Sequence, residues 1–402
     1  MNKPEIRLEG FADEWEQQTL IDILSPTVGN NTLSRAALNY ENGEVKNIHY
    51  GDILVKFGSF VDAANDNIPF ITNGSVGTYK SYLLKNGDII FADTAEDETV
   101  GKVVEIVNSQ DVNIVSGLHT MVFRPKDKFS AYFLGYYLNT NAYHHQLLPL
   151  MQGIKVLSLS RSNLYKTLLR YPTLLQEQTS IGNFFRSLDD SIVQKKQQCE
   201  QTANIKKAML EKMFPKKGEN VPEIRFDGFT GAWEKRKIVD ICTISTGKSN
   251  TQDRTEDGIY PFYVRSSIVE RSRRFLYDEE AVLTVGDGVG TGKVYHYING
   301  KYDLHQRVYR MFDFNSGVKG KYFYYYFSNH FYERVMSMTA KTSVDSVRLE
   351  MISNMEIVFP NKKEQVMICT FFDNLDTLIE AQQQELEKLQ NIKNALLNKM
   401  FV

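Results

Sequence analysis

The sequence lacks most of the features that commit a chain to a particular chemistry. No run reaches the roughly 18 apolar residues needed to cross a bilayer, so no membrane span is expected. The opening stretch MNKPEIRLEG has no apolar region of the kind a secretory signal carries. Cys199, Cys242 and Cys369 lie far apart and form no CxxC pair. Structural disulfides and a zinc site are therefore not expected, and scattered thiols suit a reducing cytoplasm. The net charge of −2 argues neither for nor against a nucleic-acid partner.

Catalytic signatures are equally scarce. A phosphate-cradling loop needs GxxxxGK before Ser or Thr. Gly247-Lys248-Ser249 supplies the end of that pattern, but Cys242 stands where its first glycine belongs. In Gly286–Lys293 (GDGVGTGK) the corresponding position is Asp287, so the run reads as a glycine-rich hairpin rather than a nucleotide site. An adenine methyltransferase grips its flipped base with an Asn/Asp-Pro-Pro-aromatic tetrad, and no Pro-Pro occurs. The seven histidines show no HExxH spacing, and no serine, cysteine or histidine has a triad context. His119 (VSGLHTMVF) and His305 (KYDLHQRVY) read as matching positions. Each is either a structural histidine at a strand start or a contact to phosphate or base.

What the chain does have is duplication. Residues 4–17, PEIRLEGFADEWEQ, match 222–235, PEIRFDGFTGAWEK, at 8 of 14 positions. Residues 177–214 match 364–401 at 18 of 38 positions without a gap. The first pair is offset by 218 residues and the second by 187, so the intervening stretch is 31 residues longer in the first half, with extra residues near 28–58. The order is an opening motif, a long variable region and a helical block, then all three again. This divides the chain into 1–171, 172–215, 216–359 and 360–402. Neither variable region is strongly basic, though Arg265, Arg271, Arg273 and Arg274 cluster in the second.

Both repeated blocks read as long helices. Leu375, Leu378, Ile379, Leu386, Leu389, Ile392, Leu396 and Met400 recur at three- and four-residue steps, as do Ile181, Phe185, Leu188, Ile192, Cys199, Ala203, Ile205, Met209 and Met213. Pro172 and Pro360 stand just upstream, where a helix cannot yet be running. Each stripe finds its natural partner in the other, as an antiparallel coiled-coil pair. The variable regions alternate like strands at Ile238–Thr246, 87–93, 280–288 and 293–298. Turns are expected at Asn42-Gly43, Asn86-Gly87 and Asn299-Gly300, and helices at Ala131–Leu138 and Lys321–Ser328. The fold class is α+β: two mixed, mainly β domains, a pseudo-twofold repeat, and two long helices between them.

This duplicated set resembles the specificity subunits of type I restriction-modification systems, over essentially the whole chain. The matching pieces are Trp15-Glu16 and Trp233-Glu234, GDIIFAD…VGKVV at 87–104 and AVLTVGDGVGTGKVY at 281–295, and the Leu-His pairs at 118–119 and 304–305. They continue with GIKVLSLSRSNL at 153–164, AKTSVDSVRLEMI at 340–352, and the LEKMF and LNKMF helix ends. One departure is ADTAEDETVGK, which stands in the first half where the second has its glycine-rich turn; Glu96, Asp97 and Glu98 disfavour a phosphate there.

The resemblance implies two target-recognition domains reading an asymmetric, bipartite double-stranded DNA site, with no catalysis, cofactor or metal in this chain. It implies two modification subunits that bind S-adenosylmethionine, and optionally two restriction subunits using ATP and Mg. Within each head, basic side chains hold phosphates and a few polar ones read base edges. The candidates are Lys248, Arg265, Arg271, Arg273, Arg274, Lys293, Gln306, Arg307 and Lys341 in the second head. In the first they are Lys56, Asn73, Lys80, Lys102, Lys155 and Arg161. The competing reading is a coiled-coil adaptor that binds proteins only.

Overall fold

A computed structural model describes residues 3–26, 28–288, 290–338 and 346–402. The fold is α+β, and the chain divides into two compact units. The first is Met1–Lys196 with Gln384–Val402; the second is Gln197–Gln383. Both long helices, Leu175–Met213 and Lys362–Met400, are shared between the units. Each has 39 residues, about 58 Å at 1.5 Å per residue. The segment 1–171 thus keeps the start of the first helix and gains the end of the second, while 216–359 keeps the opposite ends.

In each unit the two helix halves run antiparallel. In the first, the pairs Phe185–Phe401, Asp189–Lys393 and Lys195–Glu385 descend on one helix as they climb on the other. In the second, Lys206–Asp376 and Phe214–Phe372 do the same. The contacts obey the repeat. Tyr136 donates to Asp189 over 2.7 Å, and Tyr325 to Asp376 over 3.0 Å. The amide of Ile6 donates to the carbonyl of Lys399, as Ile224 does to Lys212, each at 2.9 Å. Arg7 grips Glu177 with two 2.7 Å bonds, and Arg225 grips Glu364 at 2.6 and 2.8 Å. The opening motif is therefore a clasp on a helix start. The helix starts are fixed alike: the side-chain amides of Gln178 and Gln365 donate to the carbonyls of Pro172 and Pro360.

Among the described residues, the first unit holds a five-stranded sheet in the order Leu24–Ser25, Thr120–Pro125, Ile89–Ala92, Val103–Val107, Phe60–Asp62. A four-stranded sheet of Ile114–Ser116, Lys46–Ile48, Phe70–Ile71 and Leu38–Asn39 is built largely from the longer first half. The second unit has six strands in the order Thr243–Thr246, Val308–Phe312, Tyr277–Val285, Tyr295–Leu304, Tyr260–Tyr263, Val269–Ser272. In both units the strand after the opening tryptophan pairs with the strand before the long helix: Glu16–Thr19 with Leu168–Tyr171, and Glu234–Lys237 with Glu356–Phe359. Met400 and Phe401 enter the core around Trp15 and Phe133, and Met213 and Phe214 the core around Trp233 and Tyr322.

Two expectations need correction. Asn299-Gly300 is not a turn. Both residues sit inside Tyr295–Leu304, opposite Glu280 and Glu279, so the chain reverses before Tyr295 and not at this pair. The expected short helix at Lys321 runs from Gly320 to Ser337, because its aromatics are buried on several sides; its counterpart is only Phe133–Tyr137.

That short helix hangs on Glu105, which is fully buried and accepts from the amides of Tyr132 (2.8 Å) and Gly135 (2.9 Å). Burial pushes its carboxyl from 4.5 up to about 7, against the pull of those two amides. Folding therefore takes up a proton between these values. The contribution is complete below about pH 4.5 and is lost as pH rises through 7, an effect of about 3 kcal/mol. Urea unfolding of the parent at pH 5 and pH 8 should show this loss. Glu105→Gln should flatten it, and an equal slope in both proteins would contradict the assignment.

Candidate nucleic-acid interface

In the second unit, backbone hydrogen bonds draw several strand ends together. Tyr263 accepts from the amide of His305 at 3.0 Å, Leu304 from Ser249 at 3.0 Å, and Ser249 from Gln306 at 2.9 Å. Arg307 accepts from Gly286 at 2.8 Å, just beyond the Val285–Val308 pair. The side chains that follow these ends form one exposed polar corner. Asp287 lies between two guanidiniums, 3.5 Å from Arg265 and 3.7 Å from Arg307. Gln306 donates to Asn250 over 2.5 Å, and Lys248 stands exposed one residue before Ser249. Arg274 reaches Ser249 and Asp253, each at 3.2 Å. Behind it, the buried Asp303 accepts from the hydroxyls of Ser249 (2.6 Å) and Ser272 (2.9 Å).

His305 takes the structural side of its two readings. It is buried, and its Nδ1 accepts from the Arg307 amide at 3.0 Å, which fixes the turn that presents Arg307. Burial first, then Arg265, lowers its pKa, which keeps the acceptor nitrogen free of a proton.

The structure therefore joins Lys248, Arg265, Arg274, Gln306 and Arg307. Arg271 lies on the outermost strand and Arg273 just after it, with Arg273 paired to Asp257 at 2.6 Å. Lys293 lies 5.0 Å from the ring of Tyr332. Lys341 falls outside the described residues. The glycine-rich run joins the paired strands Tyr277–Val285 and Tyr295–Leu304, so a strand and not a helix follows it among the described residues. Asp287, which organises the corner, was masked in the sequence by its setting in that run.

The first unit uses the matching strand end differently. Thr120 stands opposite Ala92, and the Asp93 amide donates to His119 at 3.1 Å. His119 thus occupies the place of Arg307, not of His305, so the two Leu-His pairs are not equivalent. His119 has φ +54 and lies 3.3 Å from Asp93, with the ring of Tyr50 5.3 Å away. His49 packs on Tyr50 at 4.6 Å, and Arg35 donates to the buried Asp52 at 3.0 Å. Burial, then Arg35, lowers the pKa of His49.

Of the first-head candidates, Lys155 and Arg161 flank this corner. Between them, Leu157–Ser158 pairs with Thr94–Ala95, and Arg161 lies 6.0 Å from the ring of Phe123. Asn73 and Lys80 are exposed beside the four-stranded sheet, and Lys56 caps the helix Tyr50–Val55, its ammonium 5.0 Å from Tyr40. Lys102 turns inward to the carbonyls of Phe57 (2.9 Å) and Leu54 (3.1 Å), and burial lowers its pKa. Arg35, His49 and Tyr50 were not expected. Arg35 lies in the residues the second half lacks, so the repeat offered no signal for it.

A family model described as the type I restriction modification DNA specificity domain matches residues 13–201 and 231–391. The chain belongs to this specificity family. Each matched stretch starts by the tryptophan of one half and ends within a long helix, so the family unit is the repeat itself. The chain is 21% identical to a putative type I restriction enzyme MjaX specificity subunit of Methanocaldococcus jannaschii, covering 96% of this chain and 92% of that one. It is 24% identical to the type I restriction enzyme EcoDI specificity subunit of Escherichia coli, over 40% of this chain and 35% of that one. The fold is shared with the S subunit of a type I restriction-modification system from M. genitalium, at TM-score 0.64, 13% identity and 100% and 99% coverage. A second structure, from work on the assembly and conformational transition of the type I system, matches at TM-score 0.56, 17% identity and 96% and 97% coverage. Among the described residues of this family member, no helix is long and apolar enough to cross a membrane, and no cluster of His, Cys, Asp and Glu could hold a metal.

Proposed function

We propose that this chain is the non-catalytic, sequence-reading subunit of a cytoplasmic type I restriction-modification complex. Each unit reads one half of an asymmetric, bipartite double-stranded DNA site. One observation carries this reading: at the same strand end of two repeated units stand different polar corners, Arg265–Asp287–Arg307 in one and Asp93–His119 beside Tyr50 in the other. Frames that repeat while their exposed corners differ suit two unlike half-sites. An arginine held by a carboxylate keeps its remaining N–H groups aimed outward, the arrangement that bidentate contact with a guanine edge requires.

Arg271, Arg273, Lys248, Lys293 and Lys341 in the second head are assigned to phosphates, as are Lys56, Lys80, Lys155 and Arg161 in the first. Gln306, Arg274 and Asn73 are assigned to base or sugar edges. Lys102, bound to two carbonyls, can reach DNA only by leaving them. The spacer helices fix the number of unread base pairs and dock two modification subunits, which supply S-adenosylmethionine and the methyl transfer, and optionally two restriction subunits, which use ATP and Mg.

The test is methylation by the assembled complex carrying Arg265→Ala or Arg307→Ala. Each variant should lose roughly ten- to hundredfold discrimination at one base of one half-site. Arg273→Ala should weaken binding evenly across sequences and reduce the salt slope by about one. Unchanged specificity in both Arg265→Ala and Arg307→Ala would contradict the reading. A complex with modification subunits that has no DNA affinity would leave the adaptor reading in its place.

A further inference from the structure

The hairpin around Gly153 is built to hold out an apolar tip. Gln152 and Ser158 exchange both backbone hydrogen bonds, at 3.0 and 2.8 Å. Leu157 and Ser158 then pair with Ala95 and Thr94, and the Leu159 amide donates to the carbonyl of Asp93 at 2.9 Å. The loop is thereby braced to the strand end that carries Asp93 and His119. Gly153 closes the turn with φ +120, and a Cβ there would stand 1.9 Å from the carbonyl oxygen of Val156, so only glycine fits. Beyond it, Ile154 is 100% exposed, Lys155 is exposed, and Val156 is 52% exposed.

A fully exposed isoleucine on a braced turn gains nothing from its own chain. Its neighbours say what covers it. Lys155 beside it favours a polyanion, and the turn rises from a corner already assigned to a duplex. Proteins that bend DNA insert single apolar side chains between base steps and prise them open. We propose that Ile154 is such a wedge, entering the base stack of the first half-site while Lys155 holds the adjacent phosphate. The proposal rests on the DNA-reading function above. It adds that the first half-site is recognised partly through the ease with which one base step unstacks, and so at a position no polar side chain needs to touch. The second-half stretch that matches it in sequence, from 340 onward, lies outside the described residues up to 345.

The experiment uses the full chain assembled with its modification subunits, and duplexes carrying the complex's own methylated site. 2-Aminopurine is placed at successive positions of the first half-site, and the DNA ends are labelled to report bending. The parent complex should raise fluorescence at one step and kink the duplex by roughly 20–90°. Ile154→Ala should abolish the rise and weaken binding roughly tenfold, while Ile154→Leu keeps both. Lys155→Ala should leave the rise and lower the salt slope. Tight parental binding with no rise at any step overturns the wedge and leaves the reading function standing. So does Ile154→Ala that binds DNA normally but no longer retains the modification subunit, which would assign the tip to a protein contact. A parent complex with no specific site at all overturns the reading function, and the wedge with it.

Discussion

Arg225→Ala is expected to destabilise the unit Gln197–Gln383 by about 3–5 kcal/mol. Glu364 is fully buried and takes two charge-assisted hydrogen bonds from Arg225, whose third N–H group donates to the carbonyl of Gly231 at 2.6 Å. Removing the guanidinium leaves a carboxylate in the core with no counter-charge, and it frees the opening motif from the helix start. The matching change Arg7→Ala should do less harm. Glu177 keeps a 3.2 Å bond from the indole of Trp15, whereas the Trp233 indole nitrogen has no hydrogen-bond partner among the described residues. Replacing Arg225 and Glu364 together by apolar residues of similar volume should recover most of the loss, since a buried pair is far more costly to break than to remove. Urea unfolding gives the magnitudes. Hydrogen exchange in Glu234–Lys237 and Glu16–Thr19 separates one unit from the other. If both single variants unfold within about 1 kcal/mol of the parent, the clasp does not hold the opening motif to the helix start within each unit.

The same clasp shows what could and could not be read from the residues alone. The long helices were legible because a helical period survives in any environment, and a 38-residue match without a gap leaves little choice of register. The observed spans, Leu175–Met213 and Lys362–Met400, fall inside the segments 172–215 and 360–402. That Phe401 packs with Phe185, and Phe214 with Phe372, follows from antiparallel pairing but is invisible in the order of the motifs. Strand register was the weak point. Asn299-Gly300 has turn composition, yet pairing with Glu279 and Glu280 keeps it inside a strand. His119 and His305 share a Leu-His signature but differ by two places in the ladder, because a ladder is set by pairing and not by local sequence. Charge was a poor guide wherever a side chain could satisfy itself internally. Lys102 reads as a surface cation but is bonded to two carbonyls, while Arg35 lies in a stretch with no repeated counterpart and Asp287 is hidden by the glycine-rich run around it.

The other large effect concerns sequence reading itself. Residues 234–359 run from the strand after Trp233 to the last residue before Pro360, and they contain the whole Arg265–Asp287–Arg307 corner. Exchanging them for the corresponding region of another member of the family leaves the clasp of Arg225 on Glu364 and both spacer helices intact. The chimera should therefore fold, assemble and methylate, with one half-site wholly replaced. The other half-site and the number of unread base pairs between the two should be retained. Sequencing the methylated adenines of cells that carry the parent, the chimera or neither protein is the most direct test. The parent should create one asymmetric bipartite motif, absent without it, and the chimera a motif sharing one half with the parent's. A chimera that alters both halves, or methylation that is the same with and without the protein, would contradict the account.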